Sequence, residues 1–258
     1  MIFFYSLLIF ALGACLGSFA NVCIYRLPKN EQLVNGRSFC PKCKKKISWF
    51  DNLPLISFFL LNRKCRNCNK IISSRYFIVE LITGITFLLI YLSFDNLITY
   101  IFLFILSLIL IIIFFIDLEN FIIPDSLNFS IIILGLSKNF LPNFNTNLIH
   151  EINQSIIGGI VGYLSIWLII FLYKTFKKID GMGLGDAKLM AGIGILFGWQ
   201  SIPFVLFVSS ILGLIFVVPS LLKRQKTMRS EIPFGPFIIV ACLIYFMCGN
   251  LLYSLILV

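Results

Sequence analysis

Hydrophobic positions in this chain gather into long windows that contain no Asp, Glu, Lys or Arg. They run from Met1 to Tyr25, Asn96 to Ile116, Ile152 to Tyr173, Leu189 to Leu222 and Ile232 to Val258. Each reaches the about 20 residues that a spanning helix needs. The window from Leu189 to Leu222 is 34 residues long, too long for one ordinary span. The turn-compatible string Gly198-Trp199-Gln200-Ser201-Ile202-Pro203 predicts a tight hairpin in its middle. Tyr76 to Phe94 predicts a further span despite Glu80, and Ser126 to Leu141 a short one that needs a thinned bilayer or neighbours over its ends. The expectation is an all-α polytopic membrane protein with about eight transmembrane helices. Met1 to Leu16 has no basic region before it, and Gly13-Ala14-Cys15-Leu16-Gly17-Ser18 reads as helix-packing small residues, so this segment is expected to be a retained first helix.

Composition agrees. Of 258 residues, 59% are hydrophobic and 12% charged, against about 25% charged in a soluble domain. Of the 21 Lys and Arg, 12 lie between Arg26 and Arg75. Lys174, Lys177 and Lys178 follow the fifth span, and Lys223, Arg224, Lys226 and Arg229 follow the seventh. With eight spans these loops share one side, and the opposite side receives only Lys138. The positive-inside rule makes the basic side cytoplasmic and puts both termini outside. The net charge of +10 is then mostly topology. It calls for no nucleic-acid partner, although the basic surface could meet anionic lipid headgroups of the bilayer.

One loop is long enough to hold a domain. The predicted organisation is a first helix over 1–25, a cytoplasmic module over 26–75 and a seven-helix membrane domain over 76–258. The module contains Cys40-Pro41-Lys42-Cys43 and Cys65-Arg66-Asn67-Cys68, with 21 residues between the pairs. Two such pairs read as a four-thiolate zinc ribbon, in which tetrahedral metal closes a fold that lacks a large core. A reducing cytoplasmic compartment disfavours the disulfide reading. Four thiolates leave no position for water, the single histidine is His150, and no HExxH string occurs, so the zinc is expected to be structural. Cys15, Cys23, Cys242 and Cys248 fall in apolar spans and read as small packing residues.

Two aspartates stand at the ends of apolar runs. Asp117 closes the run from Asn96, and Asp186 opens the run from Leu189, inside Gly181-Met182-Gly183-Leu184-Gly185-Asp186-Ala187-Lys188. A carboxylate near a bilayer is costly and is a functional-site candidate by default. Both reach the same predicted membrane face, where two carboxylates could share a water and a single proton. The ionised partner would act as general base and the protonated one would polarise a carbonyl. Gly183 and Gly185 would allow close substrate approach. Lys188 would snorkel to headgroups or tune the aspartates. Asp125 reads as an N-cap, and Glu119 and Asp180 as solvated loop charges. Glu80 lies one turn inside its span, set either to pair with Arg75 or Tyr76 or to line a polar site.

In their order along the chain these features resemble the type IV prepilin peptidases, the bifunctional leader peptidase/N-methyltransferases. The resemblance is carried by Gly17-Ser18-Phe19-Ala20-Asn21-Val22, Tyr25-Arg26-Leu27-Pro28, the two cysteine pairs, Asp51-Asn52-Leu53-Pro54, Arg75-Tyr76 and Glu80. It continues through Ile116-Asp117-Leu118-Glu119, Ile123-Pro124-Asp125, Gly183-Leu184-Gly185-Asp186 and Pro233-Phe234-Gly235-Pro236. Ala20, where leucine is common, is a mild departure. The resemblance implies a bacterial inner-membrane enzyme that cuts the leader of prepilins or pseudopilins at the cytoplasmic face. It implies Asp117 and Asp186 as the catalytic pair, the four cysteines as zinc ligands, and methylation of the new N-terminus with S-adenosylmethionine as donor. No glycine-rich nucleotide motif locates that donor, and Glu80 is the candidate linked to methyl transfer. Competing readings are a signal-peptide-type intramembrane aspartyl protease, whose aspartates should lie inside spans, and a non-enzymatic transporter or scaffold, which should carry midplane polar groups or repeats.

Overall fold

The computed structural model describes residues 2–33, 38–141, 151–178, 182–222 and 232–256. His150, Asp180 and the basic residues Lys223, Arg224, Lys226 and Arg229 lie outside the described residues. Within them the chain forms α1 (Ile2–Arg26), α2 (Ile56–Leu60), α3 (Ser74–Ser93), α4 (Leu97–Asn120), α5 (Asp125–Ser137), α6 (Ile152–Lys177), α7 (Leu184–Phe197), α8 (Ser201–Leu222) and α9 (Gly235–Ile256). Five segments are long and apolar enough to cross a membrane: Phe3–Lys29, Ser74–Ser93, Leu97–Asn120, Ile152–Lys177 and Ser201–Val218. With α5, α7 and α9 this gives roughly eight apolar helices, as the hydrophobic pattern predicts. Gly198, at φ 79°, ends α7, and α8 begins at Ser201, so the expected hairpin breaks the 34-residue window where glycine permits it.

The chain folds as two compact units, Met1–Ile112 and Ile113–Val258. In the first, α1 packs along α3 through small residues. A Cβ added to Gly13 would stand 2.9 Å from the Cα of Gly84, and one added to Gly17 would stand 2.8 Å from the Cα of Glu80. This is the close backbone approach that small residues at four-residue spacing provide in lipid, where apolar contact alone does not favour helix association. Asn21 ties the same ends together, its amide donating to the carbonyl of Tyr76 at 3.0 Å. The segment before α3 is anchored by Phe58 stacked on Phe77, centroids 5.1 Å apart.

The second unit is organised around α7. Eleven of its 14 residues are buried, and α5, α6, α8 and α9 all touch it. At 1.5 Å per residue it is about 21 Å long, short of the about 30 Å hydrocarbon thickness. Its last carbonyls would therefore be stranded at membrane depth. Lys138 meets them: fully buried, its Nζ donates to the carbonyls of Ile195 and Leu196 at 2.8 and 2.5 Å. The single basic residue assigned by sequence to the sparse side is thus a cap on α7, where a cation also suits the helix dipole.

On its other side α7 touches α6 backbone to backbone. A Cβ on Gly158 would lie 2.1 Å from the carbonyl oxygen of Gly194, and one on Gly194 would lie 2.0 Å from that of Gly158. Gly194→Val therefore forces the two helices apart, and overpacking of about 1–3 kcal/mol or more is expected. Thermal unfolding in detergent should show a large loss for Gly194→Val. Gly213→Ala should be close to wild type, because its Cβ would meet Phe237 at an ordinary 3.6 Å.

Candidate functional site

Asp117 sits in the last turn of α4 and Asp186 in the first turn of α7. Both are buried, with 4% and 8% of their surface exposed. After α4 the chain turns at Phe121, a non-glycine residue at φ 58°, and Ile123 then wedges between the beginnings of α7 and α9. A Cβ on Gly185 would stand 3.1 Å from the Cβ of Ile123, and one on Gly235 would stand 3.1 Å from its Cδ1 and 2.8 Å from Oδ2 of Asp117. Gly235 thus leaves room for the carboxylate, and its own N–H donates to Oδ2 of Asp117 at 2.9 Å. This bond satisfies an N–H at the start of α9, a place that favours negative charge.

Ile123 borders both the start of α7, which carries Asp186, and Gly235, which holds Asp117, so the two aspartates belong to one neighbourhood of the second unit. The N–H of Asp186 bonds the carbonyl of Gly183 at 3.2 Å. Among the described residues Oδ1 of Asp186 is buried with no hydrogen-bond partner. A buried carboxylate oxygen in that position needs a proton, a water or a substrate group. The first turn of α7 is steadied by Asn128, whose amide donates to the carbonyl of Gly185 at 3.3 Å.

Other candidates take different positions. Lys188 turns to Asp125, Nζ to Oδ1 2.6 Å, joining the starts of α7 and α5. Asp125 is not the N-cap expected from sequence: Pro124 holds that position and makes no side-chain cap bond. The ammonium of Lys188 offers the carboxylate a stronger, charge-assisted partner than a backbone N–H. Gly183 precedes α7 in extended backbone, and a Cβ there would meet Oδ2 of Asp186 at 3.7 Å, so space alone does not require glycine. Gly235, Ile123, Asn128 and Lys138 carry the geometry without having been assigned roles from sequence. For Gly235 the signal was present in the string Pro233–Pro236, but without a role attached.

The four cysteines of the first unit converge. Cys40, Cys43, Cys65 and Cys68 place their sulfurs within 4.8 Å of one another, close to the about 3.8 Å edge of a tetrahedral four-thiolate zinc site with Zn–S near 2.3 Å. Each pair is held in the same turn. Lys44 N–H donates to the carbonyl of Cys40 at 2.8 Å, as Asn69 N–H does to that of Cys65 at 2.9 Å. Both Lys44 and Asn69 have positive φ, 57° and 54°. Bridges Phe39–Lys46 and Lys64–Ile71 close the two turns. The backbone amides of Asn67 and Cys68 pull the Cys65 thiol down to about 7, while the Cys68 thiol beside it is raised to about 11, so Cys65 is the first of this pair to ionise. Asp51 and Arg66 brace the module through two bonds of 2.7 and 2.9 Å. The cluster could hold a zinc ion.

Glu80, also in the first unit, is 8% exposed. Its Oε2 accepts the Leu55 N–H at 2.8 Å, and Ser18 lies within hydrogen-bonding reach. Glu80 lines a cavity together with Tyr76.

Two family models match the chain: the bacterial peptidase A24 N-terminal domain over residues 11–94 and the type IV leader peptidase family over residues 104–218. Among curated proteins, a prepilin leader peptidase/N-methyltransferase of Vibrio cholerae is 37% identical over 255 residues, covering 95% of this chain and 98% of the relative. Proteins of the same name from Aeromonas salmonicida and Neisseria gonorrhoeae are each 31% identical, covering 95% and 93% of this chain and 91% and 89% of their own lengths. No solved structure matches.

Proposed function

The chain belongs to the type IV leader peptidase family, and from that membership we propose that it cleaves the leader of prepilins or pseudopilins through Asp117 and Asp186 and methylates the new N-terminus. The observation that supports the peptidase reading is the presence of two buried carboxylates at neighbouring ends of α4 and α7, one accepting Gly235 N–H and the other with an oxygen that has no partner among the described residues. One carboxylate takes a proton from water, whose oxygen attacks the scissile carbonyl carbon; the carbon–nitrogen bond then breaks with its pair left on nitrogen, which takes that proton and departs as the new terminal amine. The other, protonated, donates to the carbonyl oxygen, and the pair holds the one proton between turnovers. Both groups lie within a turn of a helix end, so the bond to be cut would sit at a membrane boundary rather than deep in a span. Purified protein in nanodiscs should cut a synthetic prepilin after its leader glycine, as mass spectrometry of the products would show. Intact substrate after prolonged incubation with folded protein would reject the reading.

The zinc ion would be held by Cys40, Cys43, Cys65 and Cys68 and would serve structure, since four thiolates leave no open position. In methyl transfer, the lone pair of the new terminal amine takes the methyl group from a sulfonium donor. The carbon–sulfur bond breaks with its pair left on sulfur, and the amine releases a proton. Glu80 is assigned to this half of the activity.

The same reading puts the enzyme in the bacterial inner membrane with the catalytic face cytoplasmic. The charge imbalance of 20 basic residues to one supports this. Leu118 and Leu184, 42% and 52% exposed, flank the two aspartates, whereas Phe140 follows the far end of α5. Leu118→Cys and Leu184→Cys should react with a membrane-impermeant thiol reagent, above the parent background, only after cells are opened. Phe140→Cys should react in intact spheroplasts. Labelling of Leu184→Cys from outside would invert the orientation.

A further inference from the structure

The short helix α2 has an inner and an outer face. Ser57 and Phe58, with Leu61 just after the helix, line the cavity that Glu80 also lines. Ile56, Phe59 and Leu60 fall on the opposite side of the helical turn and are 57%, 65% and 72% exposed. Three large apolar side chains standing open together on one face mark an interaction surface.

Two attachments fix the height of α2 along α3. Phe58 stacks on Phe77, and Phe59 meets the same ring edge-to-face at 5.2 Å. Leu55 N–H, just before α2, donates to Oε2 of Glu80. α3 is long and apolar enough to cross a membrane, and it begins at Ser74. At 1.5 Å per residue Phe77 and Glu80 lie about 4.5 and 9 Å along it. Elements that lie in the membrane interface bury their apolar face about 5–10 Å into the boundary between headgroups and acyl chains. The same level is marked on α3 itself. Ile78, Ile82, Ile85, Leu89 and Leu92 are all exposed, at the alternating spacings of four and three that make one helical stripe. That lipid-facing stripe starts one residue after Phe77.

Basic residues follow α2 directly. Arg63 and Lys64 are both exposed, and Lys64 bridges to the exposed Ile71. From 38 to 73 there are eight basic residues and a single acidic one, Asp51, whose carboxylate is taken by Arg66. An apolar face set at the depth of a span's first turns, with cations beside it, fits anionic phospholipid. The acyl boundary accepts the apolar side chains, and Arg and Lys reach outward to phosphate. A soluble acidic partner would match the charge but not the depth.

We propose that α2 seats the cysteine-bearing segment on the anionic surface of the bilayer, with Ile56, Phe59 and Leu60 in the acyl boundary and Arg63 and Lys64 at phosphate headgroups. This surface stands apart from both the peptidase and the methyltransferase readings.

The test uses full-length, zinc-loaded protein in vesicles of phosphatidylcholine with radiolabelled phosphatidylglycerol. Photoreactive benzoylphenylalanine replaces Phe59, Leu60 or, as a reference on the α3 stripe, Leu89. Illumination should attach labelled lipid at positions 59 and 60 as it does at 89. Lipid adducts at 89 alone would overturn the proposal. So would adducts of twice the chain mass at 59 and 60, which would give the face to a second copy. Hydrogen exchange reads the part played by charge. Backbone amides of residues 56–64 should exchange at least about fivefold more slowly with phosphatidylglycerol present than in phosphatidylcholine alone, the scale of one basic residue at an anionic leaflet. Arg63→Gln combined with Lys64→Gln should cancel that difference, with zinc content and unfolding temperature retained. Equal exchange of the wild-type protein in the two bilayers, or a difference that persists in the folded double variant, would reject the anionic seat.

Discussion

Asp117→Asn and Asp186→Asn should each slow leader cleavage by at least the about 10²–10⁴-fold that positioned acid–base groups contribute, while the protein stays folded and inserted. The substitutions keep the volume of each side chain and remove its ionisable proton. For Asp117→Asn the amide oxygen can still accept the Gly235 N–H now held at 2.9 Å, so the start of α9 should remain in place. Asp186→Asn alters a group whose Oδ1 has no partner to lose among the described residues. Loss of cleavage in both would then report chemistry rather than collapse, and unfolding temperatures near wild type would establish that. Asp125→Asn supplies the contrast. It breaks an ion pair whose side chains are 31% and 60% exposed, a contact worth at most about 1 kcal/mol, and should leave most of the rate. Normal processing by folded Asp186→Asn would end the dyad assignment.

Where sequence reading succeeded and where it failed has a physical basis. Membrane spans are legible because lipid demands about 20 apolar residues in a row, and the ends of α1, α3, α4 and α6 fall within a few residues of their windows. The cysteine turns are legible because a tetrahedral metal constrains ligand spacing locally. The candidate aspartates stand out because charge is rare in such a chain. Contacts that depend on chain segments far apart left no readable mark. Nothing near Lys138 says that its amine closes α7, 57 residues on. Nothing near Gly235 says that it must stay small for Asp117, 118 residues earlier. Asp125 failed for the same reason: local preference made it a cap, and Lys188, brought in by the packing of α5 on α7, outcompeted the local bond. The Gly158–Gly194 contact needed two helices in place before either glycine had a purpose.

Replacing any one of Cys40, Cys43, Cys65 or Cys68 with serine should remove most of the metal and loosen the segment around the two cysteine turns. Native protein should contain about one zinc per chain. In small zinc modules the apparent metal-binding free energy, about 10–16 kcal/mol, is also folding free energy, and serine is too weak a ligand to keep it. Some order should survive through Phe58 on Phe77 and the Arg66–Asp51 pair. Zinc content and cleavage should respond unequally. Asp117 and Asp186 belong to the second unit and the four cysteines to the first, so metal content should fall further than cleavage. Elemental analysis and cleavage rates on the same four variants would measure both effects. Carefully prepared native protein without zinc would remove the metal site, and variants that lost cleavage as completely as Asp117→Asn while staying folded would give the metal a part in the chemistry.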